Sequence, residues 1–166
     1  MELNSERLTI RLLRSTDAAF IVELLNTEGF IQNIGDRQVR TLTQAEDKIA
    51  NAYSAEYPSH GLFAVELKAS GQVIGTVSYL KRDHLEYDDI GYAFLPEFWG
   101  KGYATEATKL MLDHKLALGI KQIWGVVNSD NKASIKLLER LGFHTTGMVL
   151  MEGEDEPILK MEFHAT

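Results

Sequence analysis

Cysteine is absent from this chain. That excludes disulfides, a thiolate nucleophile and any zinc–cysteine centre, and it suits a reducing cytoplasm. Positive charge is scarce: 17 Lys and Arg against 24 Asp and Glu give a net charge of −7. Nucleic acid is therefore not expected as a partner, since phosphate binding needs a basic face. No apolar run is long enough to cross a bilayer, and the opening residues carry no signal-peptide pattern, so no membrane partner is expected either. The histidines, His60, His84, His114, His144 and His164, are scattered without metal-ligand spacing, and no metal is expected. No repeat or low-complexity linker interrupts the 166 residues, which suits one domain over residues 1–166 with a sizeable core. With 45% hydrophobic and 25% charged residues, the composition is that of an ordinary globular protein.

Periodicity gives the element order. Arg7 to Leu13 alternates as a first strand, and Ser15, Thr16 and Asp17 offer caps for a helix carrying Ala18, Ile21, Val22, Leu24 and Leu25. Phe30 to Arg40 reads as irregular, with Asn33, Gly35 and Asp36 as turn residues. Thr43 with Glu46 reads as a capping box opening a helix to about Tyr57. Strands follow over residues 61–68 and 72–80, then from Ile90 to Leu95, with a helix from Tyr103 to about Leu118. Ile120 to Val127 is a further strand, and Ser129 or Asp130 can cap a helix running to Leu141. Phe143 to Met151 and Pro157 to Phe163 close the chain as an antiparallel pair. Seven strands and about four helices in this order predict a mixed α+β sheet with helices on its faces.

The most informative stretch is Ile90-Gly91-Tyr92-Ala93-Phe94-Leu95-Pro96-Glu97-Phe98-Trp99-Gly100-Lys101-Gly102-Tyr103-Ala104-Thr105-Glu106-Ala107. An uncharged strand is stopped by Pro96, two glycines make a loop, and strong helix formers follow. The first turn of a helix has backbone N–H groups without internal partners and a weakly positive end. Glycines let an anion approach those donors closely, so the segment is a candidate phosphate cradle. Two glycines alone would equally suit a plain strand-to-helix turn. The pattern fits neither a P-loop nor a dinucleotide fingerprint.

It does resemble the pyrophosphate loop of the GNAT superfamily of N-acetyltransferases, with Gly102 and Ala104 in the small-residue places and Trp99 where Gln or Arg is common. The block Trp-Gly-Lys-Gly-Tyr-Ala-Thr-Glu-Ala is similar to the branch that includes the ribosomal-protein-alanine N-acetyltransferases. A second block, Asn131 to Ser134 leading to Leu141-Gly142-Phe143, lies about thirty residues on and resembles the same family. Likeness at Glu6-Arg7-Leu8 and Arg11-Leu12-Leu13 extends it over essentially the whole chain. The resemblance implies a single, mostly antiparallel sheet splayed at its centre and direct acetyl transfer from acetyl-CoA, as cosubstrate, to a primary amine. It implies that backbone groups around Ala93, Phe94 and Leu95 meet the pantetheine and that Gly100, Lys101, Gly102, Tyr103, Ala104 and Thr105 hold the pyrophosphate. Asn131 would contact the pantetheine side. Asn33, Asp36 and Arg37 fall where the family places its acceptor loop.

The attacking amine must be neutral. A lysine amine near pKa 10.4 is about 4.6 kcal/mol uphill at pH 7, whereas an α-amino group near 7.7–8 costs about 1–1.4 kcal/mol. Asp89 is the candidate base, standing before Ile90-Gly91-Tyr92 where many relatives carry glutamate; a strand-edge charge beside Asp88 is its plain alternative. Val126 stands where some relatives carry another glutamate. Leu138 stands where many carry a tyrosine that protonates the leaving thiolate, and Ser134, three residues after Asn131, is the candidate acid in its stead. Tyr92 and Phe98 read as core residues. The acceptor would be a protein N-terminus, an amino acid or another small amine. The alternative is a non-catalytic acyl-CoA-binding or sensing domain of the same fold.

Overall fold

The computed structural model describes residues 1–166, and its order of elements follows the apolar patterning closely. It consists of β1 (Glu2–Asn4), β2 (Leu8–Leu12), α1 (Ala18–Leu25), α2 (Glu28–Asn33), α3 (Leu42–Asn51), β3 (Gly61–Leu67), β4 (Val73–Leu80) and β5 (Asp89–Phe94). After these come α4 (Tyr103–Ala117), β6 (Gln122–Val127), α5 (Lys132–Arg140), β7 (His144–Val149) and β8 (Ile158–His164). One sheet holds all eight strands in the order β1-β2-β3-β4-β5-β6-β8-β7.

Eight strands and five helices replace the expected seven and about four. The additions are β1 and α2, three and six residues long, both too short for hydrophobic periodicity to register. Strand β1 pairs Leu3 with Ile10 across a tight turn. Helix α2 starts where the Thr27 hydroxyl accepts from the Phe30 N–H. Helix α3 opens two residues earlier than expected, on a capping box of Thr41 and Gln44 rather than Thr43 and Glu46, and it stops at Asn51 rather than near Tyr57. Helix α5 is capped by Asn131, not Ser129 or Asp130.

Alternation sorts each strand's residues onto two faces. On one face Leu8, Ile10, Phe63, Val65, Val77 and Ile90 pack with Met111 of α4 and Leu137 and Leu138 of α5. The opposite face of β2 carries Thr9 and Arg11. The Arg11 guanidinium donates to both oxygens of Asp17, at 2.8 and 3.1 Å, and its Nε donates to Glu66 at 2.8 Å. Asp17 leads directly into α1, so this ion network docks the second core, in which Ile21 and Leu25 of α1 meet Ala45 and Ile49 of α3. Arg11 is 6% exposed, and so is Asp17. Burial alone would push the Asp17 carboxyl up, but the hydrogen bonds from Arg11 and the Arg14 N–H hold it below its ordinary value.

Because removing one member strands the other buried charge, Arg11→Ala is expected to lower unfolding free energy by about 3–5 kcal/mol. Denaturant unfolding measures this. A loss under about 1 kcal/mol, the range of exposed pairs, would contradict the docking role.

Candidate active site

Every neighbouring pair of strands in the sheet is antiparallel except β5 and β6. This parallel pair touches at a single register position, Asp89 with Trp124, supported by the Trp124 N–H donating to the Asp88 carbonyl at 2.9 Å. Beyond it the strands part, leaving a wedge that opens toward their C-terminal ends. The Leu95 N–H donates to Ile74 of β4 at 3.0 Å. By antiparallel alternation Ala93, paired with Thr76, also turns its backbone groups to β4. The wedge is therefore lined by the backbone of Tyr92 and Phe94. Of the three residues expected to meet the pantetheine, only Phe94 faces the wedge, and its carbonyl already accepts the Trp99 indole N–H at 2.8 Å.

The glycine loop lies at the open end. Gly100 and Gly102 have φ of +74° and +82°, a region that side chains disfavour. A Cβ on Gly100 would meet nothing within 4 Å, so its glycine is required by backbone conformation and open approach rather than by packing. Gly102 is the left-handed N-cap of α4, and the helix's first bond is from Glu106 N–H to the Gly102 carbonyl. None of the six N–H groups from Gly100 to Thr105 donates to any protein acceptor. Six neighbouring free donors at the positive end of a 15-residue helix fit a diphosphate. Lys101 and Tyr103 frame the loop; the Lys101 side chain is exposed.

Arg7 fixes this loop from across the chain. Its Nε donates to Glu106 at 2.7 Å, its Nη1 donates to the Lys101 carbonyl at 3.0 Å, and its guanidinium lies 4.4 Å from the centre of the Tyr103 ring. Ser5 adds a hydroxyl bond to Glu106 at 2.6 Å. Partial burial works to raise the Glu106 carboxyl, but the bonds from Ser5 and Arg7 keep it below its ordinary value. Sequence reading missed this brace because its partners are 99 residues apart. The only trace was the likeness at Glu6-Arg7-Leu8.

Asp89 sits at the apex, 2% exposed, with Arg82 Nε donating to Oδ1 at 2.9 Å. Burial pushes its carboxyl above the ordinary Asp value, and Arg82 opposes this in part. Its side chain shares a face with Gly91 and Ala93 and, across the pairing, with Ser78 and Thr76: small residues that leave room beside the strand. Tyr92 lies on the other face, and its hydroxyl is 2.6 Å from Ser134 Oγ. Ser134 is in the first turn of α5, where the Asn131 side chain accepts its N–H. Leu138 is buried, with a methyl about 3.0 Å from where a Cβ on Gly125 would stand, so that α5 approaches β6 closely.

The three expected acceptor residues fare differently. Asn33 gives its carbonyl to Asn128 Nδ2 at 2.7 Å, which ties α2 to the end of β6. Trp99 meets the other side of α2, its ring edge 2.7 Å from where a Cβ on Gly29 would lie. Helix α2 thus touches residues that follow each strand of the wedge. Asp36 is taken up by Arg40 at 2.6 Å and by the Gln38 N–H at 2.8 Å. Arg37 is exposed and makes no ion pair.

Residues 7–144 match the family model described as "Acetyltransferase (GNAT) domain". The chain belongs to the GNAT acetyltransferase family. It is 28% identical over 151 residues to an uncharacterized N-acetyltransferase, YoaA, of Bacillus subtilis, covering 89% of this chain and 85% of that one. The solved structure of RimL, the ribosomal L7/L12 alpha-N-protein acetyltransferase in complex with coenzyme A, superposes with a TM-score of 0.83 at 15% identity. That match covers 99% of this chain and 98% of RimL. The ribosomal-protein-S5-alanine acetyltransferase of Vibrio fischeri superposes with a TM-score of 0.80 at 23% identity, over 99% and 96% of the two chains. As a GNAT protein this chain is an acyltransferase with acetyl-CoA as cosubstrate. The wedge and the unpartnered N–H groups suit that donor.

Gly102→Val should weaken coenzyme A binding by at least about tenfold, since a branched side chain at φ +82° costs about 1–2 kcal/mol of backbone strain and presses on Arg7. Calorimetric titration beside a thermal melt measures it. Unchanged affinity in a folded variant would contradict the cradle.

Proposed function

We propose that the protein moves an acetyl group from acetyl-CoA directly to a primary amine, a protein N-terminus, an amino acid or another small amine, within one domain of residues 1–166 in the cytoplasm. The observation that carries this reading is the wedge, closed by one register pair at Asp89 and Trp124 and opening onto the free amides of Gly100 to Thr105. In this reading those amides hold the pyrophosphate, and the Tyr92 and Phe94 backbone and Asn131 Nδ2 line the pantetheine arm. Fixed N–H donors on β5 polarise the thioester carbonyl without reorganising during the reaction. Arg37 is the residue of the acceptor loop with a charge free to meet the acceptor.

Asp89 is the proposed base. A carboxylate raised by burial is a better proton acceptor than an ordinary Asp, and the bond from Arg82 opposes that rise in part. Its face is opposite to that of Tyr92 and Ser134. The amine would thus arrive on one side of the sheet while the sulfur departs on the other, with Ser134 donating to it. An α-amino acceptor asks least of this base, by about 3.4 kcal/mol relative to a lysine.

Release of coenzyme A across a panel of peptides, amino acids and polyamines tests the reading; binding without turnover on any amine would contradict it. Asp89 must be deprotonated to accept, so activity should fall as pH drops through its elevated pKa. Asp89→Asn should lower kcat by about 100-fold or more and abolish that acid limb. An unaltered pH profile would remove Asp89 from the mechanism.

A further inference from the structure

We infer that Tyr92 is a positioning residue for the departing sulfur: its hydroxyl occupies Ser134 Oγ as an acceptor and so turns the Ser134 proton into the wedge. This rests on the acetyl-CoA reading above and assigns chemistry to a side chain whose sequence context reads as core.

The geometry limits the alternatives. Tyr92 Oη and Ser134 Oγ are 2.6 Å apart, and neither has another partner in the protein. A helical serine ordinarily donates to a carbonyl one turn back. Ser134 makes no such bond: the Asn131 side-chain oxygen accepts the Ser134 N–H, and the Asn131 main-chain carbonyl accepts the Ile135 N–H. Leu138, one turn further along α5, is apolar and buried and supplies no proton. Of the two hydroxyls the phenol is the stronger donor, so the bond runs from Tyr92 to Ser134 and leaves the serine proton without a protein acceptor. A chain of two hydroxyls also polarises the outer one.

The step balances simply. The amine nitrogen forms the C–N bond, and the C–S bond breaks with its electron pair passing to sulfur. The amine proton goes to Asp89 and then to solvent. The sulfur leaves as a thiolate held by the Ser134 hydroxyl. Full transfer from Tyr92 is not invoked: burial raises its pKa above the ordinary 10, whereas a thiol titrates near about 8.5, so the phenol keeps its proton.

Calorimetric binding of coenzyme A and of desulfo-coenzyme A, which lacks the sulfur, tests the assignment apart from turnover. Near pH 9.5, where the thiol is ionised, the wild-type protein should hold coenzyme A about tenfold more tightly than the desulfo form, as one hydrogen bond to a charged group gives. Near pH 6.5 the preference should shrink. Tyr92→Phe and Ser134→Ala should each lose most of it while binding desulfo-coenzyme A normally. In turnover, Tyr92→Phe should lower kcat about tenfold with the KM for acetyl-CoA unchanged. Equal loss of both ligands in Tyr92→Phe would make Tyr92 a packing residue and overturn the proposal, as would retention of the full preference. A larger loss in Tyr92→Phe than in Ser134→Ala would place Tyr92 itself against sulfur and overturn its action through Ser134. Failure of the wild type to bind either ligand would instead overturn the acetyl-CoA reading, and this inference with it.

Discussion

Two adjacent strands that decline to pair organise this molecule. Backbone N–H and C=O groups that face a neighbour without bonding to it are costly when dry, so a sheet normally closes every ladder. Here β5 and β6 meet at one position and then separate, although β5 is paired along its length with β4 and β6 along its length with β8. The opening is held by what flanks it. Phe94 packs into the space left by Gly75, and Trp99 caps the Phe94 carbonyl. Leu138 wedges against Gly125, and Asn128 carries the end of β6 to α2. Each contact satisfies one side of the gap without closing it. What stays unsatisfied, from Tyr92 to the six free amides of the glycine loop, is the part that matches an extended ligand ending in a diphosphate.

Charge follows the same division. Two structural ion networks lie away from the apex: Arg11 with Asp17 and Glu66 docks α1, and Arg7 with Glu106 braces the glycine loop from behind. At the apex the balance differs. Asp89 is more deeply buried than Arg82, its only ion partner, so the carboxylate is incompletely compensated and its affinity for a proton rises. A base needs that, and a structural pair does not.

Sequence reading reached the architecture because the strands alternate and because Pro96, Gly100, Gly102 and Gly142 punctuate them. It picked out the glycine loop because φ near +80° favours glycine at both positions. It did not reach β1 or α2, whose few residues carry no period, nor the choice of Thr41 over Thr43, two caps that satisfy the same pattern. Ala93 and Leu95 were expected in the wedge, but pairing direction along β5 turns their amides to β4, and an element-level reading does not carry that register. Tyr92 read as core since its ring is indeed packed; only the placement of α5 brings Ser134 to its hydroxyl. Arg7 and Glu106 meet through the fold alone.

The central claim is that the free main-chain donors at the open end of the unpaired strands receive the diphosphate of coenzyme A. An amide-resolved NMR titration with coenzyme A measures this most directly. The account predicts large, saturable shifts for Gly100 to Thr105, together with Tyr92 and Phe94, and little change at β7 or α3. Saturable binding that leaves the Gly100 to Thr105 amides unmoved would contradict it.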